Sequence, residues 1–239
     1  MSKEVKRGYV PTDAKEFNDK NLELIKRAQS DIFMLMERGY KIKSASTFVG
    51  NHYLLSERQR LAIVRSTSPS ENIENRNSKL LKSNFEGKRI YIDGLNLIIT
   101  LEVALSESTV LKCMDGTIRD LAGLRGTYKL IDKTDIAIQL IGEKLQEMKI
   151  GEVSFYLDSP VSNTGKLKSR ILELLAKYSY EVNVELVNNA DVILETKSYV
   201  ITSDAIILNK CESWINFAYD IVSENLPQLQ YVNLSMMII

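Results

Sequence analysis

Four aspartates fall where runs of β-favouring residues end: Asp93 closes Arg89-Ile-Tyr-Ile-Asp93, Asp158 follows residues 152–157, Asp204 lies just beyond residues 199–202, and Asp191 follows residues 181–187 in Asn188-Asn-Ala-Asp191. Carboxylates gathered within a few ångströms repel one another and raise one another's pKa. A divalent cation relieves that repulsion, and ligation by oxygen alone suits Mg²⁺ or Mn²⁺. Such an ion can polarise a phosphodiester and activate water for in-line attack. Taken singly, each aspartate suits a helix cap or a βα turn equally well, because a carboxylate there accepts backbone N–H groups. Recurrence at four strand ends is what points to a shared acidic site.

Polar residues flank these positions. Asn96, three residues after Asp93, can bind a phosphate oxygen, hold a carboxylate in place or cap a helix, and Thr202-Ser203 before Asp204 can likewise contact phosphate or merely satisfy the loop backbone. Residues 113–126 carry Asp115, Arg119, Asp120 and Arg125 among Gly116, Gly123 and Gly126. Glycines let backbone approach a ligand and arginines bind phosphate in a bidentate manner. The segment therefore fits a mobile loop over the acidic site, with Arg119 and Arg125 on substrate and Asp120 as a further acid. It fits a surface loop with an internal Asp–Arg pair as well. Lys166, near the start of a helix after Asp158, suits charge complementarity to nucleic acid or simply a solvated face. His52 has no second histidine to work with, and Cys113 and Cys211 have neither zinc spacing nor disulfide density, so buried free thiols are expected.

The elements that must carry these residues divide in two. Residues 13–67 show apolar positions at three- and four-residue steps (Leu22, Ile25, Ile32, Leu35, Met36), with Gly39 as a stop and Ser56 with Gln59 at capping-box spacing. The polar stretch 66–78 contains Pro69 and has no apolar period, which reads as linker. The predicted organisation is a helical region over 1–70, a linker over 71–87 and an α/β domain over 88–239. Beyond residue 88, strands at 89–93, 152–157, 181–187, 199–202 and 230–234 alternate with helices at 132–150, 166–178 and 214–222. Such alternation predicts a mostly parallel sheet covered by helices, with ligands bound at the carboxyl ends of its strands.

Composition sets outer limits. The 239 residues are 44% hydrophobic and 26% charged, ordinary globular usage, and 31 basic residues balance 31 acidic ones, which argues against a histone-like basic protein while leaving room for a local basic groove. No apolar run approaches a membrane span and the N-terminus leads into no apolar signal core, so a cytoplasmic protein is expected, with homodimerisation left open.

In this order Ile-Asp93-Gly-Leu-Asn96, Asp158, Asn189-Ala-Asp191-Val-Ile and Val-Ile-Thr-Ser203-Asp204 resemble the acidic motifs of PIN-like nucleases, the NYN branch most of all. The whole chain, including Arg58-Gln-Arg60, is also similar to prokaryotic proteins that join a small helical domain to a PIN-like domain. The resemblance covers residue 88 to the C-terminus and implies a three-layer α/β/α domain and an Mg²⁺- or Mn²⁺-dependent ribonuclease acting on RNA. It also implies Asp93 and Asp204 as metal ligands, Asp158 and Asp191 completing the cluster, and Asn96 supporting it. Two departures bear on catalysis: many members have an acidic pair where this chain has Ala190-Asp191-Val192, and the simplest members lack the 113–126 insertion. A domain of the same kind that binds RNA, nucleotide or protein without cleavage is the alternative.

Overall fold

The computed structural model describes residues 5–123 and 126–235. Its N-terminal part is helical: α1 (Asp13–Glu16), α2 (Asp19–Glu37), α3 (Ile42–His52), α4 (Glu57–Ser66) and α5 (Ser70–Ser78). Local signals set the bounds of the longer helices. The Asn18 side chain accepts the Asn21 N–H at 2.9 Å to open α2, and Gly39, at φ 84°, follows its end. Ser56 and Gln59 form the expected capping box on α4, each side chain accepting the other's backbone N–H at 3.1 Å. Ile25, Ala28 and Ile32 of α2 pack on Ala45 and Val49 of α3 and on Ala62 and Ile63 of α4.

The remainder is an α/β domain. It contains β1 (Arg89–Asp93), α6 (Gly94–Leu105), β2 (Val110–Lys112), β3 (Ile118–Asp120), α7 (Asp132–Glu147), β4 (Glu152–Asp158), α8 (Thr164–Leu175) and β5 (Glu181–Val187). Then follow α9 (Ala190–Leu194), β6 (Val200–Ile201), α10 (Ala205–Lys210), β7 (Trp214–Ile215), α11 (Phe217–Asn225) and β8 (Val232–Asn233). Five strands form one sheet in the order β5-β4-β1-β6-β7, and every pairing in it is parallel. Alternation across β1 sends Ile90 and Ile92 into the main core with α6, α7 and α8, while Tyr91 joins Tyr156, Val200 and Trp214 on the opposite face under α9 and α10. The domain is therefore mixed α/β with helices on both faces of its sheet.

From β1 the chain moves outward through β4 and β5, then returns to place β6 on the other side of β1. Strand order reverses there, so the carboxyl ends of β1 and β6 flank the crevice where an open parallel sheet binds ligands.

Helices α6, α9 and α10 are additional to the sequence-based expectation, and three further segments differ from it. The stretch read as linker contains α5, entered from Pro69, which is compatible with a helix start because its missing N–H is unpaired there anyway. No apolar stripe marks α5 because its anchor is a charged side chain, Arg76, only 1% exposed. Residues 113–121 of the insertion do not form a loop over the acidic edge: β2 and β3 pair antiparallel, β8 adds to β2 in parallel, and Leu111, Cys113, Leu121 and Leu234 pack into the core of the helical region. Trp214 begins an edge strand rather than a helix. Its backbone pairs with Lys79 and Leu81, and its indole N–H donates to the Arg76 carbonyl at 2.7 Å. Both cysteines are buried free thiols. Among the described residues no helix is long and apolar enough to cross a membrane.

Candidate functional site

Asp93 ends β1 and caps α6, its Oδ1 accepting the Asn96 N–H at 3.4 Å. A helix can start this abruptly because the next residue is Gly94: a Cβ there would sit 2.6 Å from Leu157 Cδ2 and 3.2 Å from the Tyr156 carbonyl oxygen. The second Asp93 oxygen accepts the Thr202 hydroxyl at 2.9 Å, which joins β1 to the end of β6. Asn96 Oδ1 accepts the Ser203 N–H at 2.9 Å and the Ser203 hydroxyl at 3.0 Å. Accepting a backbone N–H identifies that atom as the amide oxygen, so Nδ2 is the donor of the Asn96 side chain. Asp204 caps α10, with Oδ1 accepting the Ile206 and Ile207 N–H groups at 2.7 and 3.2 Å. Asp158 Oδ1 accepts the Ala190 N–H at 2.9 Å, tying the end of β4 to the start of α9. Asp191 lies one residue further on, its own N–H held by Asn189 Oδ1 at 2.9 Å.

Thus Asp93, Asp158, Asp191 and Asp204 occupy one edge of the sheet, and the electrostatics couple them. Burial pushes Asp93 up to about 7, the negative charges of Asp204 and Asp191 add to the rise, and the hydrogen bonds from Thr202 and Asn96 oppose it. Asp191 is also raised, by burial first and then by the charges of Asp204, Asp158 and Glu195. The donor set is hard oxygen, chemically matched to Mg²⁺ or Mn²⁺. Among the described residues, however, no three His, Cys, Asp or Glu side chains are grouped closely enough to hold a metal ion as they stand.

Other expected residues fall elsewhere. Arg119 is not aimed at a substrate: its Nε donates to the Ser203 carbonyl at 2.6 Å, Nη1 to the Arg65 carbonyl at 2.6 Å and Nη2 to Asp115 at 2.5 Å. Asp120 does not join the acidic edge. It accepts from Thr100 Oγ1 at 3.1 Å and from the Ala122 N–H at 2.8 Å, beside Arg65. Thr100 is seven residues beyond Asp93 on α6, roughly 10 Å along the helix axis. Lys166 is exposed near the start of α8 and pairs with no carboxylate among the described residues. Arg125 lies outside the described residues. A cavity of about 730 Å³, bordered by Tyr9, Phe17, Leu105 and Tyr231, contains none of the four aspartates.

Sequence reasoning passed over Arg76 and the part Asp115 plays with it. Arg76 Nη1 donates to Asp115 Oδ2 at 2.6 Å, the oxygen that Arg119 also engages, and Arg76 Nη2 reaches the Ala205 carbonyl at 3.4 Å. A lone arginine in a polar stretch carries no periodic signal. The aspartate at 115 followed four residues later by Arg119 was the available hint of a buried ion pair.

Two families match in sequence. One, described as a domain of unknown function (DUF5616), covers residues 82–220, and another, described as a protein of unknown function (DUF434), covers residues 24–79. The chain is 38% identical over 207 residues to "Uncharacterized protein MJ0935" of Methanocaldococcus jannaschii, an alignment spanning 86% of this chain and 98% of that one. No solved structure matches. With one family spanning more than half of its length, and including every one of the four aspartates, the chain belongs to the DUF5616 family.

Proposed function

We propose that this protein is a metal-dependent nuclease, an endoribonuclease, hydrolysing phosphodiesters of RNA in the cytoplasm at the edge formed by Asp93, Asp158, Asp191 and Asp204. The observation that carries the reading is the placement of Asp93, Asp158, Asp191 and Asp204 at the carboxyl-end edge of the sheet, where strand order reverses. Carboxylates brought together at one edge hold negative charge that a cation neutralises. Mg²⁺ or Mn²⁺, when bound, supplies charge neutralisation at the phosphate and a more acidic water. Asp93 and Asp204 would hold it, and Asp191 and Asp158 would complete its surroundings. Asn96 presents Nδ2 to a phosphate oxygen while its Oδ1 fixes the Ser203 backbone.

A second reading has its own observation. Asp93, Asp158 and Asp204 each accept backbone N–H groups, which is a structural task in itself. On that reading the edge binds RNA, nucleotide or a protein without cleaving anything.

The discriminating experiment is Mn²⁺ calorimetry paired with a panel of RNA and DNA substrates. A nuclease binds Mn²⁺, cuts RNA, and loses both properties in Asp93→Asn. Metal binding with every substrate left intact moves the assignment to the binding module. No metal binding that Asp93→Asn abolishes removes the nuclease reading altogether.

A further inference from the structure

Behind the acidic edge lie two buried arginines that share one aspartate. Arg76 is 1% exposed, Asp115 4% and Arg119 7%. Asp115 Oδ2 receives Arg76 Nη1 at 2.6 Å and Arg119 Nη2 at 2.5 Å, while its Oδ1 receives the Thr117 N–H and hydroxyl at 3.2 and 2.6 Å. Arg119 Nη1 goes to the Arg65 carbonyl at 2.6 Å and Arg76 Nη1 also reaches Ser68 Oγ at 2.9 Å, while three other donors reach the Asp204 loop and α10. Arg119 Nε holds the Ser203 carbonyl at 2.6 Å, Arg76 Nη2 holds the Ala205 carbonyl at 3.4 Å, and Arg76 Nε holds Asn209 Oδ1 on α10 at 2.7 Å. Asp204 is thus gripped through the carbonyls on both sides of it.

We infer that Arg76 and Arg119, joined through Asp115, are positioning residues for Asp204, and that the helical region, through Arg76 of α5, completes the acidic site of the α/β domain. This rests on Asp204 belonging to the proposed site.

Stability alone is a poor explanation for such an arrangement. A buried ion triad can often be replaced by apolar residues of similar volume at no loss, because desolvating the charges offsets their attraction. What an apolar replacement could not do is hold two carbonyls in fixed directions and leave one net positive charge behind four carboxylates. Residues behind a metal ligand that fix its orientation change metal affinity or activity by about 10–100-fold when removed.

The test uses the full chain, with Arg76→Gln, the charge-retaining Arg76→Lys, and Arg58→Gln as a control. Arg58 forms a part-buried pair with Asp13 at 2.6 Å, away from the acidic edge. Amide hydrogen exchange at residues 203–207 and Mn²⁺ affinity by calorimetry are measured on each. Positioning predicts that Arg76→Gln speeds exchange at residues 203–207 and weakens Mn²⁺ by about 10–100-fold. Arg76→Lys should recover part of both, and Arg58→Gln should change neither. A folded Arg76→Gln with wild-type exchange at residues 203–207 overturns the inference, as does an equal loss of Mn²⁺ affinity in Arg58→Gln. If Arg76→Gln does not fold, Arg76→Lys is held to the same criterion. If the wild type binds no Mn²⁺, the metal reading of the site fails, and the exchange data alone decide whether Arg76 positions Asp204.

Discussion

The Thr202 hydroxyl donates to Asp93 at 2.9 Å and its oxygen accepts the Asp204 N–H at 3.0 Å, so one side chain joins the two aspartates on either side of the central crevice. Replacing it with the near-isosteric valine deletes the first bond and strands the second donor. Thr202→Val should cost about 1–3 kcal/mol in urea denaturation. It should also move Asp93 above its value of about 7, because the lost bond favoured the ionised carboxylate. Carboxyl-carbon NMR reads that shift. An Asp93 titration that stays put would mean the hydroxyl points elsewhere in solution.

Asp93 also sets a pH dependence of stability. Its folded pKa of about 7 lies above the unfolded value, so the folded state keeps a proton that the unfolded chain gives up. The resulting stabilisation is fully present below about pH 4, declines as pH rises and is gone above about pH 7. In metal-free buffer Asp93→Asn should lack this component, gaining on the wild type by up to roughly 4 kcal/mol between those limits. Parallel stability curves for the two proteins would contradict the assignment.

Gly94 is held to glycine by close packing rather than by a special backbone angle. Alanine is the better helix former by about 1 kcal/mol. Yet its Cβ would meet Leu157 Cδ2 at 2.6 Å and backbone oxygen at 3.2 Å. Overpacking of that kind should make Gly94→Ala less stable by about 1–3 kcal/mol. Thermal denaturation checks the sign, and a stabilised variant would show that Leu157 yields easily.

Glu102 is fully buried in α6, where it accepts the Tyr128 hydroxyl at 2.6 Å and is bonded to Thr134 and ion-paired with Arg7. Burial raises its pKa, and Arg7 opposes the rise. Arg7→Met leaves that charge without its partner, a loss of about 3–5 kcal/mol for a buried pair. The deficit should be larger at pH 8 than at pH 5, because the orphaned carboxyl relieves it by taking a proton. Urea titrations at both pH values test this, and a deficit independent of pH would exclude an uncompensated carboxylate.

Much of the sheet was legible because its strands are short runs of β-favouring residues, as in Arg89-Ile-Tyr-Ile-Asp93, so both the strand and the placement of Asp93 at its end follow from residue types. The placement of Asp158, Asp191 and Asp204 at strand ends could be read for the same reason. Helix α6 gave no period because almost its whole circumference is buried, from Leu95 to Ala104. Helix α5 was hidden by the opposite cause, a polar surface anchored by one charged side chain. The pairing of β2 with β8 joins residues more than a hundred positions apart, which no local pattern encodes. Distances between carboxylates depend on strand order and cap geometry together, so coupling was predictable in kind while spacing was not.

Trp214 is the chain's single tryptophan, fully buried, and its indole N–H ends on the Arg76 carbonyl of α5. Its fluorescence therefore reports on the seam where residues 76–81 close the edge of the sheet, separately from helix content. Loosening of α5 should redshift the emission before the sheet itself melts, giving the protein a built-in optical measure of whether its two regions are joined.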